Sequence, residues 1–395
     1  ADYQSVGGWE TYRKTLKGTD PAEIVQAVVG RNLRGRGGAG FPAGRKWTFL
    51  PKDHPGPVYL VVNADESEPG TFKDRLLMER NPHLVLEGVA LSAYATRARY
   101  VYIYIRGEYH RPYRVMEKAV AECYEAGLFG ENVAGGDFSV DVYLHRGAGA
   151  YICGEETGML ESLEGKRGWP RLKPPFPAVQ GAFGKPTVIN NVETLACVQP
   201  IIQRGADWFK SIGPEHSTGP KLFGISGHVN RPGVVELPMG LTLRELIDEH
   251  AGGMKGGQFK TAIPGGVSVG YMSPDELDTP LDFDISKKIF ILGLGTGCAI
   301  VMNDTVSVPR SLYNISRFFS HESCGQCTQC REGTGWFMKT MQRMLAGGCD
   351  SGDLDLMRQL ADTMGAMPGF NICGLADAAA WPVKTAIDKF RHEFE

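Results

Sequence analysis

Three cysteines spaced C-x2-C-x2-C, with a fourth far along the chain, constrain this sequence more than any other feature. Cys324, Cys327 and Cys330 place three sulfurs on one short segment, and Cys373 stands alone later. Three thiolates on one turn can hold three corners of an iron-sulfur cube while a remote cysteine holds the fourth. Structural zinc is one alternative, although four-cysteine zinc sites usually consist of two separated C-x2-C pairs, and thiols that bind no metal are the other. The spacing favours a 4Fe-4S cluster on these four cysteines.

Length and composition indicate a multidomain globular protein. The chain has 395 residues, more than one hydrophobic core usually supports, and we expect three domains. No segment has the apolar length of a membrane span. The formal net charge of −3, with both signs mixed along the chain, gives no basic patch for nucleic acid. Nine cysteines without a disulfide framework indicate a reducing compartment.

The first half of the chain alternates between strand and helix patterns. Strands are predicted at residues 58–63, 100–106 and 138–145, and helices at 20–32, 84–96, 111–126 and 155–163. This alternation predicts an α/β layer with a largely parallel sheet.

The second half changes from short strands to helices. Strands are predicted at 221–225, 233–236, 261–263 and 289–292, with a helix at 243–250, which together suggest a small α+β unit. Helices are then predicted at 307–319, 333–345, 354–364 and 376–394, with the cluster cysteines in the loops between them. A helical bundle that holds the cluster at its end is the simplest arrangement.

A glycine-rich loop follows the first predicted helix. It contains Gly35, Arg36, Gly37, Gly38, Gly40, Phe41 and Gly44. The spacing satisfies G-x-G-x-x-G, but a helix precedes it and Pro42 follows, so an ordinary dinucleotide phosphate loop is not favoured. A glycine-lined contact with a nucleotide or a ring system, assisted by Arg36, Lys46, Phe41 and Phe49, is one interpretation. A purely structural glycine loop is the other.

A second glycine-containing segment, from Gly147 to Gly154, has a strand before it and a helix after it. A phosphate could sit at the amino end of that helix, where free N–H groups and a partial positive charge are found. Glu155 and Glu156 occupy the same first turn and would stabilise the helix dipole without any ligand. Both interpretations remain open from the sequence.

Polar residues follow the first predicted strand, at the edge where α/β sheets bind ligands. Asn63, Asp65, Glu66, Ser67 and Glu68 suit a ribityl chain or a ribose, and a carboxylate there would repel a 2′-phosphate and favour NADH over NADPH. A solvated turn is the alternative. Asn190 and Asn191 likewise either hold a cofactor edge or cap a turn.

Taken together, these segments closely resemble the NADH-binding flavoprotein subunit of respiratory complex I, known as its F subunit. The resemblance rests on residues 34–49, 63–70, 146–157, 171–177 and the cysteine pattern, and it covers about residues 7–394. Each motif alone is weak, but all of them in this order are specific to that family.

The resemblance implies α/β, α+β and all-α parts in succession. The corresponding segments are 1–43 (an amino-terminal helix with glycine-rich residues), 44–212 (a Rossmann-like FMN/NADH domain), 213–306 (a β-grasp domain of the soluble-ligand-binding type) and 307–395 (a four-helix bundle with a 4Fe-4S cluster).

The resemblance also implies the binding residues. FMN contacts correspond to Gly35, Gly37, Lys46, Asn63, Asp65, Glu66, Ser67, Tyr151, Gly154, Glu155, Asn190 and Asn191. NADH contacts correspond to Phe41, Lys46, Phe49, Glu68, Tyr151, Glu156, Lys173 and Phe176. No side chain is expected to act as an acid or base, because hydride passes directly between stacked rings.

The implied function is NADH oxidation at the electron entry of complex I, with FMN between the two-electron donor and the one-electron cluster. The implied partners are a small thioredoxin-like 2Fe-2S subunit and a large iron-sulfur subunit, on the cytoplasmic side of the inner membrane. Two alternatives remain: the diaphorase subunit of an NAD-linked hydrogenase or formate dehydrogenase, and a non-catalytic scaffold with a structural cluster.

Overall fold

The chain folds into two compact units. The computed structural model describes residues 2–30, 32–54, 56–365 and 371–394. The first unit consists of Ala1–Ser67, Phe72–Gly168 and Leu172–Lys221. The second consists of Glu68–Thr71, Trp169–Arg171 and Leu222–Glu395.

A four-stranded parallel sheet forms the centre of the first unit. Its strands are β1 (Val58–Ala64), β2 (Ala98–Ile105), β3 (Asp141–Arg146) and β4 (Thr187–Asn191). They lie in the order β3-β2-β1-β4, with every neighbouring pair parallel. The apolar run Leu60–Val62 is fully buried, as expected for a central parallel strand. The prediction of an α/β layer with a parallel sheet is confirmed.

Helices surround this sheet. They are α1 (Asp2–Ser5), α2 (Glu10–Leu16), α3 (Pro21–Gly30), α4 (Ala43–Trp47), α5 (Lys73–Arg80), α6 (Pro82–Thr96), α7 (His110–Glu125), α8 (Glu156–Leu163), α9 (Val192–Ala196), α10 (Val198–Arg204) and α11 (Ala206–Lys210). The helix α6 is buried over most of its length and packs against β1 and β2. The longer predicted helices are therefore present, whereas α5, α9 and α10 were not predicted.

A buried carboxylate on α6 fastens the first residues of the chain. Glu87 accepts hydrogen bonds from the N–H groups of Trp9 and Tyr12 at 2.8 and 3.1 Å, and from the Tyr3 hydroxyl at 2.7 Å. Helix α2 begins at Glu10, so its unpaired amino-terminal N–H groups find an acceptor in a different helix. These three donors satisfy the hydrogen-bonding capacity of a carboxyl group that is fully buried.

The second unit contains a smaller mixed sheet. Its strands are β5 (Pro220–Gly227), β6 (Gly233–Pro238), β7 (Phe259–Ile263) and β8 (Cys298–Asn303), in the order β6-β5-β8-β7. Strand β8 runs parallel to β5 and antiparallel to β7. The prediction of a strand at 289–292 is wrong, because those residues form bends. The strand between β5 and β7 is β8 instead. Ile291 is buried in the core, so its apolar pattern reflects packing and not strand pairing.

Helices complete the second unit. They are α12 (Leu243–Glu245, continued by a wider turn to His250), α13 (Val308–Glu322), α14 (Thr328–Leu345), α15 (Ser351–Met364) and α16 (Leu375–Phe390). Helices α13 to α16 pack against one another, with α13 on α14 and α15 on α16. Among the described residues, none of the helices is both long and apolar enough to cross a membrane.

Helix α14 begins earlier than predicted. Its first residue is Thr328 and not Gly333, so Cys330 lies in the first helical turn, and the prediction that all cluster cysteines occupy loops is corrected. Gly333 resembles a helix breaker in the sequence. In the structure a Cβ at Gly333 would come within 2.5 Å of the Met364 sulfur, so helix packing explains the small residue.

Candidate functional site

Asparagines from two adjacent strands meet at the carboxyl edge of the parallel sheet. Asn63 at the end of β1 is in register with Asn191 at the end of β4. The Asn63 Nδ2 donates to the Gly154 carbonyl at 2.9 Å, and the Trp47 indole N–H donates to Asn190 Oδ1 at 2.8 Å. Strand order therefore brings together side chains that are distant in the sequence, at the edge where open α/β sheets bind ligands.

The segment after β1 turns back on itself through its own side chains. The Asp65 N–H donates to Asn63 Oδ1 at 3.1 Å, and the Ser67 hydroxyl donates to Asp65 Oδ1 at 2.6 Å. A Cβ added to Gly154 would lie 3.4 Å from Asp65 Oδ2, so the turn before α8 passes close to this segment. Asn63, Asp65 and Gly154 thus form one polar surface at the sheet edge.

The Glu66 side chain points into the protein. Its carboxylate accepts the N–H groups of Asp74 and Arg75 at 2.8 and 2.9 Å, and the Tyr109 hydroxyl at 2.9 Å. It therefore binds unpaired donors at the start of α5. Burial, followed by the charge of Asp74, raises the pKa of Glu66 to about 7. As positioned here, the Glu66 side chain supports the loop from inside.

Two lysines bracket the start of α8. The Lys173 ammonium lies 2.9 Å from Glu155 Oε1 and 3.0 Å from Glu156 Oε1, and the Lys46 ammonium lies 3.0 Å from Glu156 Oε2. Burial alone would raise the pKa of Glu156, but Lys46 and Lys173 outweigh it and the pKa is lowered. Burial alone would lower the pKa of Lys173, but Glu156 and Glu155 raise it.

The two adjacent glutamates have different tasks. Glu155 Oε2 accepts the N–H groups of Thr157 and Gly158, both at 2.8 Å, and so caps α8. Glu156 instead bonds both lysines. The structural interpretation of carboxylates at this helix start thus applies to Glu155, whereas Glu156 belongs to a partly exposed group of charges beside the sheet edge.

The glycine-rich loop is held from beneath by Arg36. This side chain is buried, and its guanidinium donates to the carbonyls of Thr218 and Pro220 at 2.8 and 3.2 Å. The Arg36 N–H donates to the Thr194 hydroxyl at 2.8 Å. The Arg36 side chain therefore fixes the loop and does not face outward from it.

The glycines of the loop are required for different reasons. Gly37 is exposed, and a Cβ there would lie 3.1 Å from Asn191 Cβ, so its open backbone lies beside the asparagine edge. Gly38 has a φ of 130° and Gly40 a φ of 65°, which favour glycine. Gly44 is buried, and a Cβ there would lie 2.5 Å from the Val29 nitrogen in α3. Gly35, whose N–H donates to the Phe41 carbonyl, closes the turn.

Aromatic residues are exposed near this loop. The rings of Phe41 and Phe49 have centroids 6.3 Å apart and are 43% and 49% exposed. Phe176 is 57% exposed, and Tyr151 begins the short turn Tyr151–Gly154 before α8. Large exposed rings of this kind are suited to stacking against a planar ligand.

Glu68 lies in the second unit, in the segment Glu68–Thr71. Its Oε1 accepts the Ser268 N–H at 2.7 Å within that unit. A Cβ at Gly266 would collide with the Glu68 side chain, so this glycine makes room for the carboxylate. Glu68 is therefore held in place by the loop around Gly266.

A chain of buried charges, which sequence reasoning missed, lies behind Asn191. The Asn191 Nδ2 donates to Asp74 Oδ2 at 2.6 Å, and Asp74 Oδ1 is 2.8 Å from the Lys73 ammonium. Lys73 is 2.7 Å from Glu193 Oε2, and Lys221 is 3.4 Å from the same oxygen. We call Asp74, Lys73, Glu193 and Lys221 the buried charge chain; these four residues are at most 3% exposed.

The buried charge chain lowers the pKa of Glu193. Burial alone would raise the pKa of Glu193, but the ammonium groups of Lys221 and Lys73 outweigh it and lower the pKa to about 2. The sequence gives one signal for these buried charges, a charged residue among apolar ones, as Glu193 lies between Val192 and Leu195. Paired partners so far apart in sequence could not be deduced without the fold.

The four cysteines of the sequence pattern line one cavity in the second unit. Cys324 precedes α14, Cys327 caps it, Cys330 lies in its first turn, and Cys373 comes just before α16. The Ile372 N–H points at the Cys327 sulfur at 3.4 Å, and Ser323 Oγ is 3.4 Å from the Cys330 sulfur. Burial raises the pKa of the Cys330 thiol to about 11, so iron bound at this position would have to displace its proton.

The chemistry of this donor set fits the cluster predicted from spacing. Four sulfurs from two separate segments reach one cavity, and a backbone N–H is directed at one of them, a type of contact that tunes iron-sulfur clusters.

Three family models match parts of the chain. A Nuo51 FMN-binding domain matches residues 28–200, an SLBB domain matches 222–271, and the NADH-ubiquinone oxidoreductase-F iron-sulfur binding region matches 310–395. The FMN-binding model covers the sheet-edge residues described above, and it includes Glu68 but not Ser268. The iron-sulfur model covers all four cysteines.

Curated relatives match over nearly the full length. The NADH-quinone oxidoreductase F 2 subunit of Rhizobium meliloti (strain 1021) is 52% identical over 99% of this chain and 92% of its own length. The NADH-quinone oxidoreductase F subunit of Rhodobacter capsulatus is 49% identical over 94% of this chain and 86% of its own.

A solved structure of an NAD+-reducing [NiFe]-hydrogenase in the H2-reduced state is similar with a TM-score of 0.87 and 38% identity. The match covers 95% of this chain but only 62% of the hydrogenase chain.

Proposed function

Because this chain belongs to the family of NADH-quinone oxidoreductase F subunits, we propose that its sheet-edge residues bind FMN and NADH where electrons enter that assembly. The chain is an NADH-oxidising electron-entry subunit, and its cofactors are FMN and a 4Fe-4S cluster. Its assembly contains other subunits. The observation that carries the site assignment is the meeting of Asn63, Asn191 and the exposed Gly37 at the carboxyl edge of the parallel sheet.

The residues at this edge fit FMN in chemical type. Asn63, Asp65 and Ser67 present hydrogen-bonding groups suited to a ribityl chain, and the exposed Gly37 leaves its backbone open to a ring. The remaining proposed FMN contacts are Gly35, Lys46, Tyr151, Gly154, Glu155, Asn190 and Asn191. Glu66 acts from behind by holding the start of α5.

The proposed NADH contacts lie around the exposed rings. Phe41, Phe49 and Phe176 provide faces for planar groups, and Tyr151, Lys46, Lys173 and Glu156 provide polar and charged groups beside them. Glu68, which is fixed by the Ser268 N–H, is the proposed carboxylate that disfavours a 2′-phosphate.

When bound, FMN supplies the ability to take two electrons as hydride and release them one at a time. The protein's own task is to orient the rings and exclude water, so no side chain needs to exchange a proton. Asn63 and Asn191 are held by Gly154 and Asp74 and therefore present fixed groups. Cys324, Cys327, Cys330 and Cys373 would hold the 4Fe-4S cluster, which would supply one-electron chemistry.

Finer features of the molecule follow from the same proposal. We assign residues 44–212 to a Rossmann-like domain, 213–306 to a β-grasp domain and 307–395 to a four-helix bundle, with 1–43 as an amino-terminal segment. The mutual packing of α13 to α16 supports the bundle. The proposed partners are a thioredoxin-like 2Fe-2S subunit and a large iron-sulfur subunit, at the cytoplasmic face of the membrane.

The similarity to a hydrogenase structure supports a second candidate assembly, an NAD-linked hydrogenase. An NAD+-reducing hydrogenase shares 38% identity with this chain, compared with 52% for the Rhizobium relative, so the quinone-linked assembly is favoured. The co-purifying subunits and a quinone-reduction assay separate the two assemblies.

An anaerobic titration of the purified chain tests the proposed site. NADH, and separately NADPH, is added while flavin bleaching is followed by absorbance and the reduced cluster by electron paramagnetic resonance. We expect bleaching with NADH, little with NADPH, and a cluster signal that follows flavin reduction. A chain reconstituted with FMN and iron that neither retains flavin nor bleaches would overturn the entry role and leave the scaffold alternative.

A further inference from the structure

An open groove in the second unit is lined by residues that the proposed function does not use. It has a volume of about 660 Å³ and lies between α13, Met338 of α14 and the segments that carry Pro69 and Val267. Ile315 and Phe318 of α13 add further apolar surface to the lining. A groove of this size accommodates several side chains of another molecule.

One edge of the groove is basic. Arg310, Asn314, Arg317 and His321 follow one another at helical spacing on α13, and all four are exposed. The last three line the groove, whereas Arg310 continues the same ridge outside it. The ridge carries positive charge although the whole chain has a formal net charge of −3.

The arginines of this ridge differ from those elsewhere among the four helices. The Arg317 guanidinium lies over the Tyr313 ring, 5.9 Å from its centroid, and in the described part of the chain no carboxylate pairs with Arg310 or Arg317. Arg358 of α15, by contrast, bonds Asp388 at 2.8 Å. Glu68, which precedes Pro69 of the groove, uses its carboxylate to accept the Ser268 N–H. The two arginines are thus available to carboxylates of another molecule.

The groove also lies along the helix that leads to the cluster. Helix α13 ends at Glu322, and His321 is followed closely by Cys324, the first cysteine of the pattern. A molecule seated against Arg317 and His321 would therefore be near the cysteine loop. An electron-entry subunit needs a contact surface at that place.

We propose that this groove receives an acidic, amphipathic segment of another subunit of the same assembly. The inference rests on the proposed function, since a subunit that delivers electrons has to bind the chain that accepts them. Apolar side chains of the segment cover Ile315, Phe318 and Met338, and its carboxylates pair with Arg317. Complementary charge of this kind accelerates association and makes it sensitive to salt.

Replacement of the wild-type chain by Arg317→Glu in cells that build the assembly tests the proposal, with Arg310→Glu as the matched control on the same ridge. We expect Arg317→Glu to lower the fraction of chain that co-purifies with the assembly by about tenfold or more, because one charge is reversed at a partner contact. Arg310→Glu should stay within about twofold of wild type. NADH-dependent ferricyanide reduction by each isolated, flavin-loaded chain should be unchanged.

Other results would overturn the proposal. Wild-type assembly of Arg317→Glu would show that the groove is not a subunit contact. Stabilisation of the wild-type chain, but not of Arg317→Glu, by pyrophosphate in a thermal shift assay would assign the groove to a small anion. A homodimer of the isolated chain that Arg317→Glu dissociates would assign it to a second copy. Failure of the proposed function itself appears separately, as absence of ferricyanide reduction in the flavin-loaded wild-type chain.

Discussion

The polar edge of the first unit and the cysteine cavity of the second are stabilised in different ways. At the sheet edge, Asn63 and Asn191 are bonded to Gly154 and Asp74, and Asp74 continues into the buried charge chain. In the second unit, four thiols from two segments line a cavity between helix ends. The first site is thus preorganised by protein contacts, whereas in the proposed cluster site iron would join the two segments. The following experiments test this difference.

Loss of a cluster cysteine should have the largest effect, and only on the second unit. We expect Cys330→Ser to abolish the electron paramagnetic resonance signal of the reduced cluster, and iron content to fall accordingly. Backbone N–H groups at the starts of α14 and α16 should exchange faster with solvent, because iron no longer joins these segments. Flavin bleaching by NADH should persist.

Cys349→Ser is the control for that experiment, since Cys349 lies in the same unit outside the cavity. If Cys330→Ser retained a full cluster signal, the assignment of Cys330 as a ligand would be wrong. If flavin bleaching were lost together with the cluster, the two sites would not be independent in the way described.

Neutralising Glu193 should have the next largest effect, which is to destabilise the first unit. Glu193→Gln leaves Lys73 and Lys221 buried without their shared carboxylate, which typically costs about 3–5 kcal/mol. The lowered pKa means that Glu193 stabilises the fold above its ordinary pKa of 4.5 and that this contribution is lost as pH falls toward about 2. Denaturant unfolding at several pH values measures both effects.

The difference in free energy of unfolding between wild type and Glu193→Gln should therefore shrink below about pH 4.5. Glu131→Gln is the matched control, because Glu131 is an exposed residue of the first unit. A pH-independent difference would contradict the ionised state assigned to Glu193.

Asp74→Asn should have a moderate effect on flavin affinity. The Asn191 amide would lose a charged acceptor at 2.6 Å, and we expect the dissociation constant for FMN to rise about tenfold, or about 1.4 kcal/mol. Quenching of FMN fluorescence on addition of the chain measures this constant. Asp137→Asn, at an exposed position of the first unit, should bind FMN as wild type does.

The flavin reduction potential gives a second measurement on Asp74→Asn. A change in potential at full flavin occupancy would support a positioning effect through Asn191. If both the FMN affinity and the flavin potential were unchanged, the buried charge chain would have no effect on the flavin site. The claim that this chain preorganises the sheet edge would then be wrong.

Phe49→Ala should have the smallest effect. Removal of one exposed ring beside Phe41 should raise the KM for NADH by about fivefold with little change in kcat, because base stacking on an aromatic ring contributes about 1–3 kcal/mol and part of it is retained by Phe41. Phe183→Ala is the matched control, since Phe183 is 47% exposed compared with 49% for Phe49 and lies against Tyr59 instead. Equal effects of the two substitutions would remove Phe49 from the NADH site.

Much of the first unit could be predicted because local patterns and topology agree there. The buried strand β1, the helices α6 and α8, and the polar residues after β1 all appear where periodicity and composition place them. The meeting of Asn63 with Asn191 required the strand order, which places β4 beside β1. In the second unit, the cysteine spacing predicted that four distant residues come together, and they line one cavity; their ligation of a cluster stays a prediction.

The remaining features depend on contacts between distant residues. Nothing local distinguishes Glu155 from Glu156, since Lys173 pairs with both, and they differ in that Glu155 caps α8 whereas Glu156 also pairs with Lys46. The apolar run at 289–292 resembles a strand but is buried without pairing, and the buried charge chain joins residues from three separate segments. Tertiary structure determines both outcomes.

Gly37 and Gly44 belong to one motif but are constrained by different parts of the molecule. A side chain at Gly44 would press into the backbone of α3, whereas one at Gly37 would press only toward the Asn191 side chain at the proposed cofactor edge. In a mutational survey of the loop, variants at Gly44 should therefore be lost as folded protein. Variants at Gly37 should accumulate as folded protein that lacks flavin, so the yield of a preparation and the FMN released from it report on separate positions of the same loop.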